Sequence, residues 1–294
     1  MSGDAHLIDA YAQGKDIYAW IAEKIYNIPY DECKEFRPDG TRNPDGKKRR
    51  DSVKSVILGI MYGRGARAIS EQLNCSVKEA QGVVDQFYNT FPKVKEWMNS
   101  VLENARKYGF VETAWGRKRR LPDVQLEPYE FTPLSGGAST FDPLNFDSPG
   151  IVPEVPFDVR EKYTLKLKKA WGRSSKVAII QEARSKGIGI KDNGGYIADA
   201  ERQCVNSIIQ GTSADMVKLS MVSIGNSVRL KELDCHLIIQ VHDEIIVECP
   251  EEHAKECSEI VSNLMIESAK DKISVPMKCD AEITRSWYGE EVKL

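Results

Sequence analysis

The stretch HLIIQVHDEIIVEC, residues 236–249, constrains the fold of this chain more than any other. Two short apolar, β-branched runs flank His242, Asp243 and Glu244, and such runs pair as a tight antiparallel hairpin with the three polar groups at its tip. A carboxylate there is held rigidly at a sheet edge, which suits a divalent-cation ligand. Asp also serves turns by bonding its own backbone, so the residues alone leave a purely structural role open. One carboxylate does not make a two-metal site, which needs ions about 3.5–4 Å apart bridged by shared oxygen ligands.

Upstream of the hairpin the apolar period is mostly helical. Residues 5–26 read as helix with a break at Gly14, and RPDGTRNPDG (37–46) reads as a turn-rich loop. Further helices follow over 64–107, one opened by Ser76 with Glu79 three places on, and Pro92 marks a start or a kink. GFVETAWGRKRRLPD (109–123) reads as a small hairpin, and 124–156 as a long loop or insertion. A basic helical pattern over 157–190 precedes the turn DNGGY and a long helix over 198–228, which Gly211 can interrupt. After the hairpin, a helix at about 251–270 and a strand at 275–283 complete an α+β unit.

RRDSVKSVILGIMYGRG (49–65) specifies two faces of one helix. Val53, Val56, Ile57, Ile60 and Met61 fall on one side, while Arg50, Lys54, Leu58 and Tyr62 recur every fourth residue beside them. At about 1.5 Å per residue that row is roughly 18 Å long, enough to lie along an extended anionic ligand with an aromatic group at its far end. Arg202, Asn206 and Gln210 repeat the rhythm on the later helix, next to Val205, Ile208 and Ile209. Such side chains suit sugar and phosphate contacts along a minor groove and equally suit plain exposure to water.

The net charge of −3 speaks against nucleic-acid binding only in sum. Basic residues concentrate in KKRR (47–50), GRKRR (116–120) and KLKKAWGRSSK (166–176), each of which also reads as a solvated surface. No apolar run approaches the roughly 18 residues of a membrane span, and no signal peptide opens the chain. Seven cysteines without a C-x-x-C pair argue for free thiols in a reducing cytoplasm and against a zinc site.

Several ordered motifs together resemble the family A DNA polymerases, the class of bacterial polymerase I and many phage enzymes. RDSVKSVILGIMYG resembles the family's motif B, VHDE its motif C, and GFVETAWGRKRRLPD and AERQCVNSIIQG two further signatures. The chain looks most like variants from phages and prophages of low-GC bacteria. The resemblance implies a mostly helical fingers domain at 1–196, with an insertion at about 124–196, and the C-terminal part of a small antiparallel palm at 197–294. It implies nucleotidyl transfer from dNTPs to a primer 3′ end, with primer–template DNA as partner and Mg²⁺ as cofactor. Arg50 and Lys54 would grip the triphosphate, Leu58 would touch its sugar, and Tyr62 would pack near the nascent pair. Asp243 and Glu244 would hold metal, His242 would lie near the primer terminus, and Arg202, Asn206 and Gln210 would line the minor groove.

Two departures qualify the resemblance. The family usually carries Phe or Tyr at Leu58, so discrimination against chain terminators does not carry over. Motif A, source of the first metal-binding Asp, is expected shortly before Met1, because SGDAHLIDAYAQGKDIY resembles the sequence that follows it, and Asp4 and Asp9 do not match it. The isolated chain is therefore expected to be catalytically incomplete. Alternatives are a non-catalytic nucleotide- or nucleic-acid-binding module, a split-gene subunit completed by the N-terminal polymerase portion, and a helical protein with solvated basic stripes.

Overall fold

A computed structural model describes residues 1–134, 154–287 and 289–292. Most of the stretch read as a loop, 135–153, lies outside the described residues.

The first six helices follow local signals. Asp4 caps α1 (Ala5–Ala12), its Oδ1 accepting from the N–H groups of His6 and Leu7, and Asp16 caps α2 (Ile17–Tyr26) likewise. Asn43 caps α3 (Pro44–Met61), with Pro44 in the first turn, where its missing N–H is an orphan anyway. This helix begins inside the stretch expected to be loop, because Asn-Pro is a helix start as well as turn chemistry. After α4 (Ala66–Leu73), a reciprocal Ser76–Glu79 capping box opens α5 (Val77–Thr90), and Pro92 starts α6 (Pro92–Tyr108) rather than kinking a longer helix.

Val53, Val56 and Ile60 of α3 pack with Ala19, Ile21 and Ala22 of α2, Ile69 of α4, and Phe87 and Phe91. Each such aliphatic side chain contributes on the order of 2 kcal/mol on burial. That packing fixes the rotation of α3 and leaves the Arg50–Tyr62 row on its less buried flank.

The hairpin expected near residue 110 forms from β1 (Phe110–Glu112) and β2 (Lys118–Arg120). β3 (Tyr129–Pro133) arises where a loop was expected, because its short alternation sits between Pro128 and Pro133 and becomes a strand only when a distant segment pairs with it. That segment follows α7 (Phe157–Lys169) and α8 (Gly172–Ser185) and is β4 (Ile188–Asp192), antiparallel from Tyr129↔Asp192 to Pro133↔Ile188. Residues 122–200 form one compact unit, with Tyr163, Leu167, Ala183 and Asn193 buried in it. Asn193 Nδ2 donates to the Glu127 carbonyl and to Glu130 Oε1.

Residues 1–121 and 201–294 form the other unit. It takes in most of α9 (Gly194–Asn226), then α10 (Val228–Glu232), β5 (His236–Val241), β6 (Glu244–Glu248) and α11 (Ala254–Glu267). The expected interruption of α9 at Gly211 is absent. A Cβ there would lie 2.7 Å from Thr113 Cγ2, so the glycine admits the turn between β1 and β2 rather than breaking the helix. The strand expected at 275–283 is absent as well. Pro276 removes a ladder donor from the run, and among the described residues only an isolated bridge, Thr284↔Glu291, forms nearby.

The architecture is α+β, as expected, with three separate two-stranded antiparallel sheets among the described residues. No helix among them is long and apolar enough to cross a membrane.

Candidate functional site

The cationic row of α3 is braced from α2. Arg50 Nε donates to Asp16 Oδ2 at 2.5 Å, and the same carboxylate caps α2 through its other oxygen. The Arg50 guanidinium lies 5.4 Å from the centroid of the Tyr18 ring, and Lys54 Nζ lies 5.9 Å from it. Burial, foremost, pushes the Tyr18 hydroxyl above its usual range, and the hydrogen bond to Asp16 raises Arg50 further still. The result is a guanidinium held in place by a carboxylate and a ring, beside the exposed ammonium of Lys54. Leu58 is half-buried, and Tyr62 ends the helix, its N–H donating to the carbonyls of Leu58 and Ile60.

Immediately beyond Tyr62 the chain meets the second polar row. Gly63 has φ 72°, and a Cβ on it would lie 2.8 Å from Arg202 Cγ. The end of α3 and the start of the Arg202, Asn206, Gln210 row thus pack directly together. Gln210 is exposed, whereas Asn206 is half-buried and its Oδ1 has no partner among the described residues. Val205 and Ile208 are buried on the adjoining face.

A third group escaped the sequence reading: the β1–β2 hairpin and α6 are clamped onto α9. Arg106 bonds Glu201 through Nε and Nη2, at 3.1 and 2.6 Å, and Arg119 Nη2 donates to Gln203 Oε1 at 2.9 Å. Arg117 donates from Nη2 to the Gly211 carbonyl at 3.0 Å and from Nε to Asp215 Oδ1 at 2.7 Å. The Ala114 N–H reaches the buried hydroxyl of Thr212 at 3.0 Å. In the sequence GRKRR looked like a charge cluster, and nothing local marks which of its arginines meets a buried carboxylate.

Later in the chain, within the same unit, β5 and β6 pair down to Val241↔Glu244, leaving His242 and Asp243 as a two-residue turn. The tip is therefore one residue tighter than the sequence suggested, with Glu244 already in the ladder. His242 takes φ 54°, a conformation that costs a non-glycine residue roughly 1 kcal/mol, and its carbonyl accepts from Gln240 Nε2 at 2.5 Å. Leu237, Ile245 and Val247 anchor the hairpin on a core of Ile224, Leu230, Leu233, Cys257 and Val261. Asp243 and Glu244 stand exposed at the tip.

Two adjacent carboxylates fit part of a divalent-cation ligand set and not a complete one. Among the described residues no group of three or more His, Cys, Asp or Glu side chains is placed to hold a metal ion. Arg50 pairs with Asp16 at the start of α2 and with its chain neighbour Asp51, Arg50 and Lys54 both lie against Tyr18 of α2, and the tip bonds within its own hairpin.

Comparison with known proteins supplies a context for this geometry. The sequence model of DNA polymerase family A matches residues 1–132 and 158–289. The thermostable DNA polymerase I of Thermus filiformis is 28% identical over 287 residues, covering 98% of this chain and 25% of that protein. DNA polymerase I of Lactococcus lactis subsp. lactis is 26% identical over 288 residues, covering 98% and 24%. The chain spans about a quarter of the length of the curated relatives it matches. The POL domain of Pol1 from M. smegmatis, solved in complex with DNA primer-template and dNTP, shares the fold with TM-score 0.62 at 23% identity, over 94% of this chain and 35% of that one.

Proposed function

The chain belongs to DNA polymerase family A, and we propose that it serves template-directed DNA synthesis, the transfer of a nucleotide from a dNTP to a primer 3′ end. Residues 1–196 would be fingers, with 124–196 inserted, and 197–294 the C-terminal part of the palm. The observation that carries the reading is the braced cation pair on α3: Arg50 fixed by Asp16 and Tyr18, with Lys54 beside it. A triphosphate needs positive charge already in place where charge builds up on the transferring phosphoryl and the leaving pyrophosphate. Leu58 would meet the sugar and Tyr62 the nascent pair. Arg202, Asn206 and Gln210 would hold the minor groove of the primer–template without reading its sequence, and His242 would lie near the primer terminus. The M. smegmatis structure of the same fold was solved with primer-template and dNTP, which supports the choice of these two ligands.

Asp243, with Glu244, would supply one side of a Mg²⁺ site. The ion, when bound, neutralises phosphate oxygens and activates the attacking hydroxyl. Because these two carboxylates are only part of a ligand set, the remaining acidic ligand would come from polymerase sequence outside the described residues. A second reading is a subunit that works only together with such a partner.

The test is primer extension with the chain supplied together with the N-terminal portion of a family A polymerase, beside dNTP binding by the chain alone. Extension that appears on mixing and is abolished by Asp243→Ala, with primer–template binding kept, supports the reading. Unchanged dNTP binding in Lys54→Ala and unchanged extension in Asp243→Ala would leave only a helical protein with solvated stripes.

A further inference from the structure

The unit of residues 122–200 carries a charge pattern unlike the rest of the chain. Between residues 157 and 191 there are ten basic and three acidic residues, in a protein whose net charge is −3. Part of that charge is used internally: Lys166 and Lys186 both bond Glu182, and Lys176 bonds Asp192 beside the Tyr129 ring. Lys168, Lys169 and Arg173 have no acidic partner among the described residues, and all three are exposed. They bracket the turn between α7 and α8, and at that turn Trp171 is 94% exposed. Gly172 follows with φ 81°, turning the chain sharply beyond the indole.

An indole left in water among like charges does nothing for the fold. Tyr163 and Leu167 are buried, and the exposed apolar side chains of α7, Phe157 and Leu165, share their helical face with Asp158, Glu161, Lys168 and Lys169, so it is not the broad apolar face of a lipid-facing helix. A flat ring ringed by cations matches a ligand that alternates flat apolar groups with negative charges. We propose that the α7–α8 turn binds single-stranded nucleic acid, with an unpaired base stacked on Trp171 and neighbouring phosphates on Lys168, Lys169 and Arg173. Stacking needs a free base face, which a closed duplex does not offer, and it tolerates any sequence. The surface lies outside the residues assigned to nucleotide, primer–template and metal, and it agrees with the polymerase reading without depending on it.

The experiment measures fluorescence anisotropy of a labelled oligothymidylate with the full chain across a salt series. Trp171→Ala is expected to weaken binding roughly 5- to 150-fold, the range for loss of one stacked base, and Trp171→Phe to restore most of it. The triple change Lys168→Gln, Lys169→Gln, Arg173→Gln should reduce the slope of log affinity against log salt by about 2. Unfolding curves should not move, since these side chains are exposed. Equal affinity in all variants would overturn the proposal, as would equal losses on a blunt duplex, or losses confined to vesicles containing anionic lipid. Because Lys54 and Asp243 are untouched, failure here leaves the polymerase reading standing, and failure of extension leaves this surface standing.

Discussion

Arg117 and Asp215, 98 residues apart in the chain, are joined by a 2.7 Å hydrogen bond from Nε to Oδ1. Asp215 is 8% exposed and its Oδ2 has no partner among the described residues, so this guanidinium is the charge that makes the buried carboxylate tolerable. The pair fastens the β1–β2 hairpin to the helix that carries Arg202, Asn206 and Gln210.

Replacing Arg117 with Ala should therefore destabilise the protein by about 2–3 kcal/mol, somewhat below the usual penalty for orphaning a buried charge because Arg117 is itself half-exposed. Urea unfolding checks this. The double variant Arg117→Ala, Asp215→Ala should recover part of the loss, since the uncompensated charge is then gone; equal losses in the single and double variants would show that the carboxylate was never the cost.

Asp16 serves two masters, and substitutions separate them. Asp16→Asn can still accept from the Tyr18 and Ala19 N–H groups, so the α2 cap should survive with little loss of stability, while Arg50 loses its charged brace. Asp16→Ala should lose the cap too, at about 1 kcal/mol. If the brace matters for triphosphate binding, both variants weaken dNTP affinity, by titration, and only Ala lowers the melting temperature appreciably.

At Gly63 two penalties coincide, a left-handed φ and a 2.8 Å approach to Arg202 Cγ. Gly63→Ala should cost about 1–2 kcal/mol from the conformation alone, plus whatever the displaced Arg202 adds. Combining it with Arg202→Ala should remove the second part and leave the first. A double-mutant cycle by thermal unfolding reads the difference, and strictly additive losses would mean the two residues do not press on each other.

Glu182 is an acid-sensitive group of the 122–200 unit. Hydrogen bonds from Lys166 and then Lys186 hold its carboxyl down from the usual 4.5 to about 2. A depressed carboxyl stabilises the fold above its unfolded value, and that contribution is lost as pH falls from about 4.5 towards 2. Glu182→Gln should flatten the pH dependence of stability across this window in chemical unfolding series, leaving stability near pH 2 unchanged and lowering it at neutral pH by the same amount, a small one because the pair is exposed to solvent.

Much of the fold was legible because its signals are local. The break at Gly14 in an apolar helical period, Ser76 with Glu79, Pro92, and two β-branched runs around His242-Asp243-Glu244 each act within a few residues, and each produced the element expected. The four-residue rows on α3 and α9 were likewise present in the order of residues, since helical period alone sets which side chains share a face. What brings those rows together was not. The contact of Gly63 with Arg202, the bond of Arg50 to Asp16 across 34 positions, the Arg117–Asp215 pair, the reason for Gly211 and the pairing of β3 with β4 all join segments distant in sequence. Periodicity fixes the face a residue occupies but carries no information on which distant face it will meet. That depends on how buried side chains pack, and it was decided only when the helices closed over Val53, Val56 and Ile60 and the hairpins docked against α9.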